Sequence, residues 1–366
     1  MHTLVLGSGI VGAAATWDLV RRGHEVTVAD TDYDAAVRVA TEHGAHPLPL
    51  DASDSVSLLT ALNAHDIVVS AIPYRFGESV ASAAVSTRTH YLDFGGNPAV
   101  VAVQKKLHNE AHEAGVMIVP DCGLAPGLAN VLAEDLIASA DDGPIDSIQL
   151  RVGALPQEPV GALGYQLAFS PAGLINEYAE PCEVIENGVY GAVEPLTRFE
   201  DVAWKRWGPL EAFSTAGGTS TMAKRHVGRV TALEYKTLRY PGHGRIFRAL
   251  YEMGLFEEKS RSSSGPPRPV LLEALERSLP RGEPDVVLIR VWREQAGDRS
   301  QVQIVDTARD GISALARTTA FPATALADLI ARGVINQPGV STMNEAVRGS
   351  DLLPELVSVG IEPERI

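Results

Sequence analysis

Thr3-Leu4-Val5-Leu6-Gly7-Ser8-Gly9-Ile10-Val11-Gly12 sets a short apolar run, three glycines in a G-x-G-x-x-G pattern and a helical segment, Ala13–Arg22, in direct succession. Gly7 permits the tight turn that leaves a strand, Gly9 has no side chain to block a pyrophosphate, and Gly12 lets the helix pack close to the sheet. The helix start offers unbonded backbone N–H groups and the positive end of its dipole to phosphates. Alone the pattern is weak, but a strand before it and a helix after it are the context it needs. Gly7, Gly9, Ile10, Val11 and Gly12 are cofactor-binding candidates.

The same alternation continues outward. Strand-like runs at Glu25–Ala29, Asp66–Ser70, Thr89–Leu92 and Val116–Val119 are separated by helical spacing at Ala35–His43 and Ala99–Ala114. Alternating strands and helices predict a parallel sheet with right-handed crossovers, an α/β fold of the doubly wound Rossmann type. Asp30 ends the second strand, close to the roughly 20 positions past the glycines where an acid binds the adenosine ribose. Thr31, Asp32, Tyr33 and Asp34 follow it, with no cation before Arg38, so a 2′-phosphate would meet carboxylates and the expected cofactor is NAD. Asp51 and Ala52 are expected where a third strand delivers a loop to the adenine edge, and Ala71, Ile72, Pro73 and Tyr74 where the fourth strand leaves toward the nicotinamide side.

The chain has 366 residues, 45% hydrophobic and 21% charged, which is a globular composition. Thirty-one Lys and Arg against forty-six Asp and Glu leave a net charge of −15, which argues against binding to nucleic acid or anionic membranes. No run approaches the roughly 20 apolar residues of a membrane span. Met1 leads straight into the first strand without a basic flank or apolar export region, so a cytoplasmic protein is expected. The two cysteines, Cys122 and Cys182, make neither a disulfide framework nor a zinc motif, and no metal is expected. After about residue 140 the rhythm changes to longer strands, Ser147–Ala154, Leu233–Leu238, Asp285–Arg293 and Gln301–Thr307. These predict an α+β domain with a mostly antiparallel sheet. Glu257–Pro269 reads as a mobile loop, and Pro322–Arg332 as a helix opening on its proline. The expected domains are residues 1–127 completed by 317–366, and 128–316.

Several motifs occur in order: Asp93-Phe94-Gly95-Gly96, Pro120-Asp121-Cys122-Gly123-Leu124-Ala125-Pro126-Gly127, Gly217-Gly218-Thr219-Ser220-Thr221 and Glu234–His243. With the N-terminal glycines they resemble the saccharopine dehydrogenase-like family, most closely its lysine 6-dehydrogenase branch. The resemblance runs from Leu4 to about Gly333. It implies NAD-dependent oxidation at an amine-bearing carbon: L-lysine to 2-aminoadipate 6-semialdehyde, which cyclises to piperideine-6-carboxylate. It also implies a homodimer or higher homo-oligomer. Saccharopine reductases tend to carry an acid where this chain has Ala125. The alternatives are a saccharopine- or carboxynorspermidine-type reductase and a non-catalytic NAD-binding protein. A saccharopine-like product carries extra carboxylates and calls for further arginines, with Arg151, Arg206 and Arg225 available.

Amine oxidation needs the neutral amine, and a lysine side chain has a pKa near 10.4, so the site must take up a proton. Asp93 and Asp121, at the ends of the fifth and sixth strands, are candidates to hold the amine or relay its proton, with Tyr74 as a third catalytic candidate; Asp in such places also caps turns. Thr219, in a glycine-rich stretch read as a lid, and Arg239 and His243 are the substrate-binding candidates, Arg239 for the carboxylate. Strand alternation puts Lys236 on the opposite face from Arg239.

Overall fold

Leu4, Val5 and Leu6 are all buried, as a strand covered on both faces of a parallel sheet requires. The computed structural model describes residues 1–95, 97–259 and 265–366. These divide into two compact units, Met1–Asp135 with Ala316–Glu362, and Leu136–Leu315 with Pro363–Ile366.

The first unit alternates β1 (His2–Leu6), α1 (Ile10–Arg21), β2 (Glu25–Asp30), α2 (Tyr33–His43), β3 (His46–Pro49) and α3 (Ser55–Asn63). It continues through β4 (Ile67–Ser70), α4 (Gly77–Thr87), β5 (His90–Asp93), α5 (Pro98–Gln104), α6 (His108–Ala114) and β6 (Met117–Val119) to α7 (Leu128–Ala138). The second unit holds β7 (Ile145–Pro156), α8 (Pro171–Glu177), β8 (Cys182–Glu186), β9 (Val189–Val193), β10 (Glu200–Trp204) and β11 (Gly208–Ser214). Then come α9 (Met222–Arg225), β12 (Val230–Arg239), α10 (His243–Glu252), α11 (Pro267–Ser278), β13 (Asp285–Gln295) and β14 (Asp298–Thr307). The chain closes with α12 (Ala314–Ala331), β15 (Gly339–Val340), α13 (Met343–Ala346), α14 (Gly349–Val357) and β16 (Glu364–Arg365).

In the first unit the strand order is β15-β6-β5-β4-β1-β2-β3, every pair parallel. Leu4, Leu6, Leu62, Val68, Tyr91 and Ile118 anchor its core. The second unit's sheet runs β10-β11-β12-β7-β13-β14-β16, with β8 and β9 attached beside β12. It is antiparallel except where β12 pairs with β7, Val230 to Ile145 through Thr237 to Val152. The two faces of β12 differ. Leu238 joins Leu155, Trp204 and Leu288 on one. Beside Arg239 on the other lies an aromatic cluster that includes Tyr165, Tyr178, Phe213 and Phe247.

Four expectations need correction. The helix read as Pro322–Arg332 begins at Ala314 and carries Pro322 inside it. The Asp285 carboxylate accepts the backbone N–H groups of Ala314 at 2.7 Å and Leu315 at 2.9 Å, so a distant acid sets where this helix starts. The single helix Ala99–Ala114 is two, divided by a tight turn at Lys105–Leu107. The break follows Gln104, whose side chain turns inward to Asp93 and the Gly77 carbonyl. Pro267 and Arg268, read as loop, begin α11, since proline suits a first helical turn; residues 260–264 of that predicted mobile loop lie outside the described residues, as does Gly96. Finally, residues 363–366 belong with the second unit because β16 pairs with β14, and the division near residue 135 falls within α7 rather than ahead of it.

Candidate functional site

The strand order of the first sheet reverses at β1 and β4, the switch point where open α/β sheets hold ligands beyond their strand ends. Gly7 leaves β1 with φ at 97°, and its N–H donates to the Ala29 carbonyl at 2.7 Å. The Ala71 N–H donates to the Leu6 carbonyl at 2.7 Å, which brings Ala71 and Ile72 against the turn. A Cβ on Gly7 would lie 2.7 Å from the Ala71 carbonyl oxygen, and one on Gly12 would lie 1.9 Å from that of Gly7. A Cβ on Gly9 would meet nothing within 4 Å. Two glycines are thus demanded by packing, while the third opens onto space at the start of α1. The first i→i−4 bond of that helix runs from Ala13 to Gly9, so the N–H groups of Ile10, Val11 and Gly12 precede it. This cradle fits a dinucleotide pyrophosphate.

Asp30 closes the turn from the side. Its Oδ2 accepts the N–H and the hydroxyl of Ser8, each at 2.7 Å, and its Oδ1 accepts the Asp32 N–H at 3.0 Å and the Thr31 hydroxyl at 3.3 Å. Burial raises its pKa, but these donors outweigh burial and hold the carboxyl below its ordinary value. Two of the four donors are rotatable hydroxyls, which a ribose diol can replace. Asp51 is exposed and accepts both the hydroxyl and the N–H of Ser53, at 2.7 and 2.8 Å, with its carboxyl held low by those donors. Ala52 is half-buried beside it, while Pro73 and Tyr74 are exposed after β4.

Asp93 and Asp121 are brought together, but not as an open pair. Asp93 Oδ2 accepts Tyr91 Oη at 2.8 Å and Gln104 Nε2 at 2.9 Å; its Oδ1 accepts the N–H groups of Gly95 at 2.8 Å and Asp121 at 3.1 Å. Both oxygens are taken by donors fixed in the framework, so Asp93 is corrected from an amine-binding candidate to the residue that ties β5 to the loop after β6. Asp121 is buried with φ at 63°, and the missing side chain of Gly95 leaves room for its Oδ1, which a Cβ there would approach to 2.2 Å. The loop tightens again where a Cβ on Gly127 would lie 2.0 Å from the Gly123 carbonyl. Burial pushes the Cys122 thiol well up, which suits a small apolar filler.

The second unit gathers Arg239 and His243 with residues that the sequence did not single out. Arg239 is buried; its Nε donates to Tyr178 Oη at 3.1 Å, its Nη1 to the Leu238 carbonyl at 2.9 Å, and its guanidinium lies 5.0 Å from the centre of the Tyr165 ring. His243 Nδ1 stands 3.0 Å from the Leu163 carbonyl, which only accepts, so Nδ1 carries the proton. Its Nε2 therefore accepts from Tyr178 Oη at 3.0 Å. Burial, and after it the Arg239 charge, lowers the His243 pKa to about 3. The ring is neutral and orients Tyr178 against Arg239. This corrects His243 from a direct substrate contact to a positioning group.

Thr219 lies in a buried turn ahead of α9, its carbonyl accepting the Met222 N–H at 3.0 Å. Gly218 packs so closely on Tyr235 that a Cβ would lie 2.4 Å from the ring, so the stretch read as a lid is part of the packed interior. Lys236 faces away from this cluster, paired with Glu200 at 2.7 Å. Arg151 bonds Glu200 and Glu234, Arg206 lies over Trp207 and Arg225 is exposed, so none of the three extra arginines joins Arg239.

Glu177, which sequence reasoning missed, ends α8 next to Tyr178, and its carbonyl accepts the Ala216 N–H at 2.9 Å. Its signal was an acid at helical spacing from Leu174 on an apolar face.

Comparison with known proteins finds two family models in succession along the chain. The Saccharopine dehydrogenase NADP binding domain matches residues 3–119 and the Saccharopine dehydrogenase C-terminal domain matches residues 123–361. The fold and glycine turn define a pyridine-nucleotide domain joined to a second α+β unit. The chain belongs to the saccharopine dehydrogenase family of oxidoreductases. It is 24% identical over 318 residues to the mitochondrial alpha-aminoadipic semialdehyde synthase of Bos taurus, covering 83% of this chain and 34% of that one. It is 26% identical over 265 residues to the Saccharomyces cerevisiae saccharopine dehydrogenase [NADP(+), L-glutamate-forming], covering 70% of this chain and 59% of that one. The chain thus spans about a third to three-fifths of the length of these relatives. The apo structure of the Saccharomyces cerevisiae saccharopine dehydrogenase (L-Glu forming) shares the fold, with TM-score 0.81 and 19% identity over 100% of this chain and 99% of that one. Among the described residues no helix is long and apolar enough to cross a membrane.

Proposed function

We propose that the chain is a pyridine-nucleotide oxidoreductase acting at a carbon–nitrogen bond of a lysine-derived amino acid, of the saccharopine dehydrogenase type. The observation that carries this reading is the match of both saccharopine dehydrogenase domains, in order, across nearly the whole chain. The names of the relatives support a saccharopine-type substrate better than free lysine. When bound, the nicotinamide accepts or supplies the hydride. The turn Gly7–Gly12 holds the pyrophosphate and Asp30 the ribose, which favours NAD. Arg239, braced by Tyr178 and neutral His243, offers its guanidinium to a substrate carboxylate. Asp121 and Tyr74 are the candidate proton acceptors. We include in this proposal a homodimer or higher homo-oligomer.

A second reading, oxidative deamination of L-lysine, draws on the acids that follow Asp30, on Ala125, and on the single guanidinium of the Arg239 cluster, too few for a tricarboxylate. The test follows reduced-cofactor absorbance with NAD or NADP and saccharopine, L-lysine, carboxynorspermidine, ornithine or diaminopimelate. Oxidation of saccharopine with lysine inert establishes the first reading; lysine oxidation with ammonia release establishes the second. Silence across the panel refutes both and leaves a nucleotide-binding protein.

A further inference from the structure

We infer that Glu177 is a specificity-determining residue whose carboxylate receives the ammonium group of the amino-acid substrate that Arg239 holds by its carboxylate. The inference rests on the preceding reading that the substrate is an amino acid. It adds that the second unit selects a zwitterionic α-amino-acid head over analogues lacking the α-amine.

The geometry is that of a polar cluster left incomplete by the chain. Glu177 is partly buried, and among the described residues nothing donates a hydrogen bond to its carboxylate and no cation pairs with it. Glu177 directly precedes Tyr178, whose hydroxyl accepts Arg239 Nε at 3.1 Å, and the Arg239 guanidinium and the hydroxyls of Tyr165, Tyr178 and Tyr235 lie within its electrostatic reach. Neutral His243 stands behind Tyr178. Arg239 spends Nε on Tyr178 and Nη1 on Leu238, and its Nη2 makes no hydrogen bond among the described residues. The Tyr165 hydroxyl is buried and likewise makes no hydrogen bond of normal geometry, with the Ala168 main chain in electrostatic reach. One guanidinium edge and one partly buried carboxylate, neither hydrogen-bonded within the described residues, therefore belong to one cluster with the buried Tyr165 hydroxyl, a set of polar groups that a ligand can satisfy. A carboxylate–ammonium zwitterion supplies what each lacks.

The charge balance agrees. Burial pushes the Glu177 carboxyl up to about 7, and the opposing pull of Arg239 does not cancel it. Its ionised form is short of positive neighbours near neutrality, a deficit that an arriving ammonium makes good. Binding of the cationic head then shifts Glu177 to its ionised form and releases a proton to solvent.

The experiment has two arms, run with saccharopine and with L-lysine. In the first, calorimetry of wild-type binding at pH 7 in two buffers of different ionisation enthalpy is expected to show net proton release; no proton exchange overturns the inference without any mutation. In the second, steady-state kinetics compare wild type with Glu177→Gln and Glu177→Asp. Glu177→Gln should raise the KM for the amino acid at least tenfold and leave the NADH Kd within twofold. Its KM should lose the fall that wild type shows as pH rises through about 7. It should also bind 6-aminohexanoate, which lacks the α-amine, as tightly as lysine, whereas wild type prefers lysine; Glu177→Asp should recover part of that preference. Wild-type KM and preference in an active Glu177→Gln enzyme overturn the inference while the amino-acid reading stands. Failure of wild type to bind or turn over any amino acid of the panel overturns that reading, and this inference with it.

Discussion

Asp30→Ala puts the nucleotide preference at risk most directly. In wild type the Asp30 carboxylate faces the glycine turn through Ser8, 2.7 Å from both its N–H and its hydroxyl. Bound NADH would exchange the Ser8 and Thr31 hydroxyls for those of the ribose. Hydrogen bonds to a charged acceptor contribute about 1.5–3 kcal/mol, so the alanine variant should weaken NADH roughly 10- to 150-fold. NADPH responds in the opposite sense. A phosphate about 4 Å from a carboxylate is repelled by about 1 kcal/mol in water and about 4 kcal/mol near a protein surface, and the variant removes that repulsion. The lower ends combined swing the NADPH-to-NADH affinity ratio by about 2.5 kcal/mol, roughly 70-fold. Fluorescence titration of both reduced cofactors, at one ionic strength, measures it. Tighter binding of NADPH than NADH by the wild type, or a swing of less than tenfold, would refute the reasoning.

Asp93→Asn should lower stability by roughly 2–4 kcal/mol in denaturant melts, since an amide turns a donor toward two of the four groups that now donate to the carboxylate, and should alter the amino-acid KM little. Full stability with a raised KM would restore Asp93 as the partner of the amine. His243 is depressed to about 3, so its contribution to stability is complete above the ordinary histidine range near 6.5 and is lost as pH falls toward 3. Acid unfolding of wild type should steepen there by up to about 1.4 kcal/mol per pH unit relative to His243→Gln; equal slopes in the two proteins would contradict a buried neutral ring. Sedimentation velocity should find a dimer or larger species, and a strict monomer at micromolar concentration would remove the oligomer from the proposal.

Which parts of the molecule were open to sequence reasoning follows from the range of the forces involved. Thr3 to Gly12 determined the first strand, the glycine turn and the helix after it, because each depends on neighbours only a few positions away. The apolar runs that became β1, β2, β4, β5 and β6 were legible for the same reason, since burial on both faces leaves no polar position to confuse the period. The alternation of β12 likewise separated Lys236 from Arg239 before any contact was known. The start of α12 was not legible, because the Asp285 carboxylate that takes up its first N–H groups lies on β13. Nor was the standing of the acids. Asp93 and Asp121 read alike at their strand ends, yet only folding delivered Tyr91, Gln104, Gly95 and the Asp121 N–H to Asp93. His243 read as a substrate contact and became a neutral brace once Leu163, Tyr178 and Arg239 closed around it. Glu177 gave only the faint signal of an acid on an apolar face; its environment was set by tertiary packing, which partly buried the carboxyl and brought one guanidinium and three phenols within its electrostatic reach. Local pattern decides which elements form, whereas desolvation and long-range donors decide what a charged side chain within them does, and those exist only in the folded chain.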